Sequence, residues 1–179
     1  DALILSLLKL DARPLAAEAQ GRMALSQGFP LHLTLNWRDL QWPLTGARPQ
    51  VRSERGALEV TGKLTDYRIK LTGSLAHPEL PESALTFQGK GNPESMAIET
   101  LELKSKAGLL RLNGEVSWKE MTAFNVEAVL DRFNPAIVLP DLPGRVTLAA
   151  RLHGKAGGET PELDAELEQL TGRLRGHPL

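Results

Sequence analysis

Four histidines, His32, His77, His153 and His177, are the side chains best suited to move a proton or hold a metal near neutral pH. No two of them stand at metal-ligand spacing. His77 and His177 each precede a proline, in loop-like contexts, so solvated histidine is the better reading. Glu162, Asp164, Glu166 and Glu168 could suggest acid–base or calcium chemistry. Their spacing of two puts them on one strand face, opposite Leu163 and Leu167, as the wet side of an edge or surface strand. GKGN at Gly89 lacks the third glycine of a dinucleotide loop, and GKAGG at Gly154 lacks the Lys-Ser/Thr of a phosphate loop. No G-x-S-x-G is present. The expectation is a chain that is not an enzyme, with no catalytic residues, no metal and no cofactor.

Composition narrows the alternatives. The 179 residues suffice for one domain with a core. A net charge of −1, without basic residues interleaved among aromatics, gives no support for a nucleic-acid surface. Cysteine is absent, which excludes disulfides and thiolate metal sites. Leucine occurs 33 times, yet aromatics make up only 4%, an unusual balance for a β-protein. DALILSLLKL at the start is apolar but too short for a membrane span, and it carries Lys9. Because the pattern runs to both ends, with LTGRLRG near the last residue, the expectation is one segment, 1–179, of a longer repetitive protein.

Period-2 alternation dominates. In FPLHLTLNWRDLQW, Leu31, Leu33, Leu35 and Trp37 share a face with Phe29. Leu58, Val60, Gly62 and Leu64 form the next face, followed after Thr65-Asp66 by Tyr67, Ile69, Leu71, Gly73 and Leu75. Leu85 and Phe87 follow a proline-bounded loop, 77–82. Leu101 and Leu103 begin a hairpin that returns as Leu110, Leu112, Gly114, Val116 and Trp118, and the parity change at Leu109-Leu110 marks the reversal. Weaker strands are expected at 125–130 and 146–152, the latter carrying Val146, Leu148 and Leu152. The last strands hold Leu163 and Leu167, then Leu170, Gly172 and Leu174. Between the strands at 125–130 and 146–152, Asn134 is placed to cap a short helical turn opened by Pro135. Residues 14–25 are ambiguous, and 155–160 read as a Gly-rich loop. The approximate blocks are 1–76, 83–130 and 145–179, with a Pro-rich connector at 132–144, in a meander of roughly ten to twelve antiparallel strands.

Such a sheet carries an apolar face too large to leave uncovered on a soluble monomer. A packed sandwich, a barrel or a trough around an apolar guest would each resolve it. An outer-membrane barrel needs aromatic girdles that one tyrosine and three tryptophans cannot build. Gly62, Gly73, Gly114, Gly154 and Gly172 fall on the leucine side by parity. Each leaves a gap in the apolar layer and eases bending, which suits an acyl chain in a groove better than a filled core. The 26 residues expected to line that groove are the leucines, valines, Ile69, Phe87, Trp37, Trp118, Gly62, Gly73 and Gly114 of these faces, from Leu31 to Leu167.

NWRDLQWPL, the pair LEVTGKL and IKLTGSL, LRLNGEVSW, and FNPAIVLPDLPGRVTL before a Gly-rich turn resemble the TamB family and, more broadly, the AsmA-like proteins, from about Phe29 to Gly172. The resemblance implies an all-β, open, taco-shaped half-pipe with a hydrophobic interior and little helix. It implies a periplasmic location in the Gram-negative envelope, with the full-length protein held in the inner membrane by an anchor this chain lacks. Implied partners are phospholipid acyl chains and a BamA-like outer-membrane barrel (TamA). Implied roles are phospholipid transport between the two membranes and support of outer-membrane protein assembly, autotransporters included. No catalytic residue carries over, only the apolar face. The residues also leave room for a groove that holds unfolded outer-membrane β-strands, or for a plain sandwich scaffold.

Overall fold

The structure, a computed structural model, describes residues 2–12, 15–24, 29–44, 49–119, 121–137, 139–157 and 161–179. Twelve strands succeed one another: β1 (Ala2–Ala12), β2 (Leu15–Ala24), β3 (Pro30–Trp42), β4 (Val51–Lys63), β5 (Asp66–His77), β6 (Leu80–Gly91), β7 (Ser95–Ser105), β8 (Gly108–Ser117), β9 (Thr122–Phe133), β10 (Gly144–Ala156), β11 (Glu162–Leu174) and β12 (His177–Pro178). They form one antiparallel sheet whose spatial order is the chain order. The sheet does not close: β1 stands at one edge, and β11 with the two-residue β12 at the other. The fold is all-β, an open, curved trough.

The alternation explains most of these strands, but not their full lengths. β9 and β10 run several residues further than the apolar pattern of 125–130 and 146–152. The expected loop at 77–82 shrinks to Pro78-Glu79, and the Glu79 amide donates to His77 Nδ1 at 3.2 Å. Pro81 therefore sits inside β6, next to a register shift between Leu75 and His77 where no ladder donor is required. The ambiguous stretch is strand from Leu15 to Ala24. Its alanines favour helix weakly, but ladders on both sides override that preference. Pro14 and Leu25, at its ends, and residues 158–160 of the Gly-rich loop lie outside the described residues.

Asn134 caps as expected. Its Oδ1 accepts from the Ala136 amide at 3.2 Å, opening a 3-10 turn at Pro135–Ile137, and also from the Gly144 amide at 3.4 Å. One side chain thus ties both ends of the connector. Arg175 holds its middle, with Nε donating to Asp141 O at 2.7 Å and its amide to Pro143 O at 2.8 Å.

Every substantial contact between elements joins neighbours in the sheet or the short turn to β10. Among the described residues only Ala107, Val126 and Val146 are buried hydrophobics, and no side chain is fully buried. The sheet is a single layer, so the sandwich is excluded. Register shifts fall in many ladders, for instance between Arg52 and Gly56, Gln88 and Gly89, and Ile98 and Leu101. Such bulges bend and coil strands.

The glycines correct the expectation drawn from them. Gly62, Gly114 and Gly172 adopt φ of 124°, 145° and 137°, and a Cβ there would strike the carbonyl of Asp66, Asn125 or Arg145 on the adjoining strand. At Gly73 a Cβ would lie 3.0 Å from Arg55 O. These residues let backbones approach and bend; they are not gaps in a wall. Gly114→Ala should therefore destabilise by about 2 kcal/mol or more, since strained backbone costs ~1–3 kcal/mol before the clash is counted. Gly21→Ala, which meets nothing nearer than 3.1 Å, should lose clearly less. Urea denaturation of both variants measures the difference.

Candidate functional site: an uncovered apolar face

Directly opposite residues in neighbouring strands share a face, so the ladders can be followed across the sheet. One row runs Leu8, Ala19, Leu35, Leu58, Leu71, Phe87, Leu101, Leu112, Ala128, Ala150, Leu167. The next runs Leu10, Ala17, Trp37, Gly56, Gly73, Leu85, Leu103, Leu110, Leu130, Leu148, Leu170. On the other side lies Gly21, Leu33, Val60, Ile69, Gly89, Ile98, Gly114, Val126, Leu152, Ala165. Beyond it run Leu3, Met23, Leu31, Gly62, Tyr67, Gly91, Met96, Val116, Phe124, Gly154, Leu163.

No charged residue interrupts these four rows. At about 4.8 Å per strand and roughly 7 Å between rows, the face spans on the order of 1,000 Å². That exceeds the few hundred Å² of contiguous apolar patch a soluble monomer usually tolerates. Its central side chains are half-buried by one another, while the outermost are open: Leu3 is 61% and Leu163 68% exposed.

Of the 26 residues expected to line a groove, 22 lie in these rows. Leu75 and Val146 fall one row further out, on the same face by parity. Leu64 and Trp118 lie past the ends of β4 and β8. Leu64 is a turn residue, and the Trp118 indole donates to Pro93 O at 2.7 Å. Sequence reasoning missed Tyr67, Met96, Ile98, Phe124, Val126, Leu130 and Leu170 as lining, together with all of β1 and β2. The β9 residues alternate plainly enough to have been found. In β1 a near-continuous apolar run hides the parity, and in β7 the bulge before Leu101 breaks it.

The aromatics have a specific use. Trp37 lies over Gly56, with its Nε1 donating to Ser53 Oγ at 2.9 Å. A Cβ on Gly91 or Gly154 would sit 2.7 Å from the ring of Tyr67 or Phe124. Each ring covers a glycine of the next strand, a stabilising arrangement for β-sheet glycines. The apolar floor at these points is paved, not thinned.

The opposite face is charged and paired across strands. Lys9–Glu18 (3.0 Å), Arg111–Glu102 (3.1 Å), Arg151–Glu127 (3.1 Å) and His153–Asp164 (3.3 Å) are directly opposite partners. Arg151 also reaches Glu168 at 2.9 Å. The acidic series of β11 is thus the solvated strand face expected, set against Lys155, His153 and Arg151 of β10. Exposed pairs of this kind each contribute little, but all of them favour one register. A cleft of about 730 Å³ runs on this face between the row Lys90–Ala97–Glu115–Asn125–His153–Asp164 and the row Ser95–Ser117–Ala123–Lys155–Glu162. Among the described residues no group of His, Cys, Asp and Glu is arranged to hold a metal ion.

An open, one-layer sheet with an uncharged face crossing every full-length strand defines a class of β-trough proteins. The family model described as "TamB, N-terminal domain" matches residues 7–179, and the chain belongs to that family. It is similar to the translocation and assembly module subunit TamB of Haemophilus influenzae (strain ATCC 51907 / DSM 11121 / KW20 / Rd), at 28% identity over 169 residues, which cover 92% of this chain and 13% of that protein. The chain therefore corresponds to about an eighth of that relative's length. No solved structure matches it.

One carboxylate reports on the charged face directly. A hydrogen bond and charge from Lys90, 2.6 Å away, hold Glu99 below the ordinary value of 4.5. A depressed carboxylate stabilises the fold at pH above its unfolded value, and the contribution is lost as pH falls through the lowered one. In an NMR titration the Glu99 carboxyl should protonate below 4.5, and Lys90→Gln should return it upward.

Proposed function

We propose that this chain is a periplasmic segment of a TamB-type protein whose apolar face carries phospholipid acyl chains between the inner and outer membranes. The observation that carries the reading is the set of four uncharged rows crossing the sheet from β1 or β2 to β11, with no second layer packed on them among the described residues. Burying methylenes gains ~0.8 kcal/mol each, so a sixteen-carbon chain fully sheathed gains about 13 kcal/mol. On one open face roughly half of that is recovered, enough to hold a chain and little enough to let it move on. The rows run across the strands, so a lipid advances from leucine to leucine without meeting a charge.

In this reading the chain needs no catalytic residue, cofactor or nucleic acid. The full-length protein would be anchored in the inner membrane and would meet a BamA-like outer-membrane barrel (TamA), supporting outer-membrane protein assembly, autotransporters included. The name of the Haemophilus relative, a translocation and assembly module subunit, supports that partnership. A second reading, a chaperone-like groove for unfolded outer-membrane β-strands, is favoured by the free edge of β11, where β12 pairs only with Arg173 and Leu174.

Photo-crosslinkers in cells separate the two. Placed at Leu71, Leu112 and Leu148, they should capture phospholipid, whereas Thr72 and Arg111 on the charged face should not. Equal capture on both faces would refute the lipid reading, and protein adducts concentrated along β11 would favour the second. Leu112→Arg, which puts a charge into the first row, should cut lipid capture at Leu148 several-fold.

A further inference from the structure

The cations of the charged face are not all paired. Toward the rim formed by the β7–β8 turn and the connector before β10, a cleft of about 500 Å³ is lined by Lys104, Lys106, Arg111, Arg132 and Arg145. Among the described residues two carboxylates share it, and both are engaged. Glu102 accepts from Arg111 Nε at 3.1 Å. Asp131 accepts from Arg132 Nε at 3.2 Å and from Thr147 Oγ1 at 3.2 Å. Among the described residues, Lys104, Lys106 and Arg145 have no carboxylate within ion-pair distance.

A second observation comes from the register. Arg145 lies directly opposite Arg173 of β11, which places two guanidinium-bearing side chains on one face about 5 Å apart at their Cβ atoms. Like charges in that position repel unless an anion stands between them. Arg38–Arg55 and Arg68–Lys90 are opposed in the same way, but neither pair lines this cleft and Lys90 is engaged by Glu99 at 2.6 Å, while Lys9, Arg111 and Arg151 each oppose a glutamate. The far rim differs too, since Lys119 pairs with Glu94 at 2.9 Å and Lys155 opposes Glu162.

We propose that this cleft is a binding site for a phosphate group, held by Lys104, Lys106 and Arg145 with Arg173 at its edge. Arginine offers planar, bidentate donors that match phosphate, and lysine supplies a compact point charge. The cleft has room for a phosphate with water around it. The phosphate can come from a lipid headgroup folded over the rim or from a free phosphate compound. The site stands independently of the trough reading, because its recognition needs no acyl chain.

The test is an NMR titration of the isotope-labelled chain with inorganic phosphate at constant ionic strength, chloride replacing phosphate in the control. Amides at 104–108 and 144–147 should shift saturably. The double variant Lys104→Gln, Arg145→Gln should weaken half-saturation about tenfold, as expected for losing two charge-assisted contacts. Lys119→Gln should titrate like the parent. All these side chains are exposed, and thermal melts of the variants check that the fold persists. A response spread evenly over both rims, or a double variant that titrates like the parent, would overturn the site. Glycerol 3-phosphate and dihexanoyl phosphatidylglycerol then separate the sources. Tighter binding of the lipid assigns the site to a headgroup, equal binding to the phosphate alone, and no response from either refutes it. Loss of lipid capture on the apolar face would leave the inorganic phosphate result unchanged, so the two readings fail separately.

Discussion

A strand slipped by one residue turns its whole apolar set outward, and this sheet has no second layer to absorb the error. Register is therefore the interaction on which the rest depends. Each of the four rows exists only because every intervening ladder is in phase. The bulge in β7 shows how the phase survives an irregularity: Ile98 and Leu101 lie three residues apart, yet face Gly114 and Leu112, two apart. The extra residue is absorbed in the bulge, and both apolar side chains return to the same face. On the reverse side, glutamates opposite Lys9, Arg111 and Arg151 favour the same alignment. Any one pair is weak in water, but none of them survives a slip.

Two sets of glycines serve this arrangement in different ways. Gly62, Gly114 and Gly172 release the backbone into positive φ, where a neighbouring carbonyl comes close. Gly56, Gly91 and Gly154 accept an aromatic ring from the strand beside them. Three of the eight aromatics, Trp37, Tyr67 and Phe124, are thus spent on covering backbone. The leucines are left to form the open surface.

Alternation made the strands from Leu31 to Trp118 legible, because one polar and one apolar face impose a period of two. Asn134-Pro135 was equally legible, since capping is local. What could not be read was anything that depends on the partner strand. That Trp37 lies on Gly56, nineteen residues on, follows from the β3–β4 register and not from either residue's neighbours. The inward glycines fall on the apolar face and ease bending, as parity suggested, but the approach of a carbonyl could not be read, because it and φ leave no mark in a sequence pattern. β1 was lost for the opposite reason: an edge strand rich in leucine on both sides has no parity to detect. The basic cleft was invisible because Lys104 and Arg145 are 41 positions apart and meet only through β8 and β9.

The strict agreement between chain order and spatial order has a kinetic meaning. Among the described residues, apart from the short turn before β10, each strand makes its substantial contacts with its sequence neighbours, so no long loop must close before pairing begins. Contacts this local are associated with fast folding, unlike the crossed connections of most large β-domains. Stability becomes a sum over hairpins and their interfaces, as in other linear repeat structures. A sheet of this kind can be zipped up strand by strand from one edge while the remainder of the chain is still extended, and two-strand units can be gained or lost in evolution without re-wiring what is already folded.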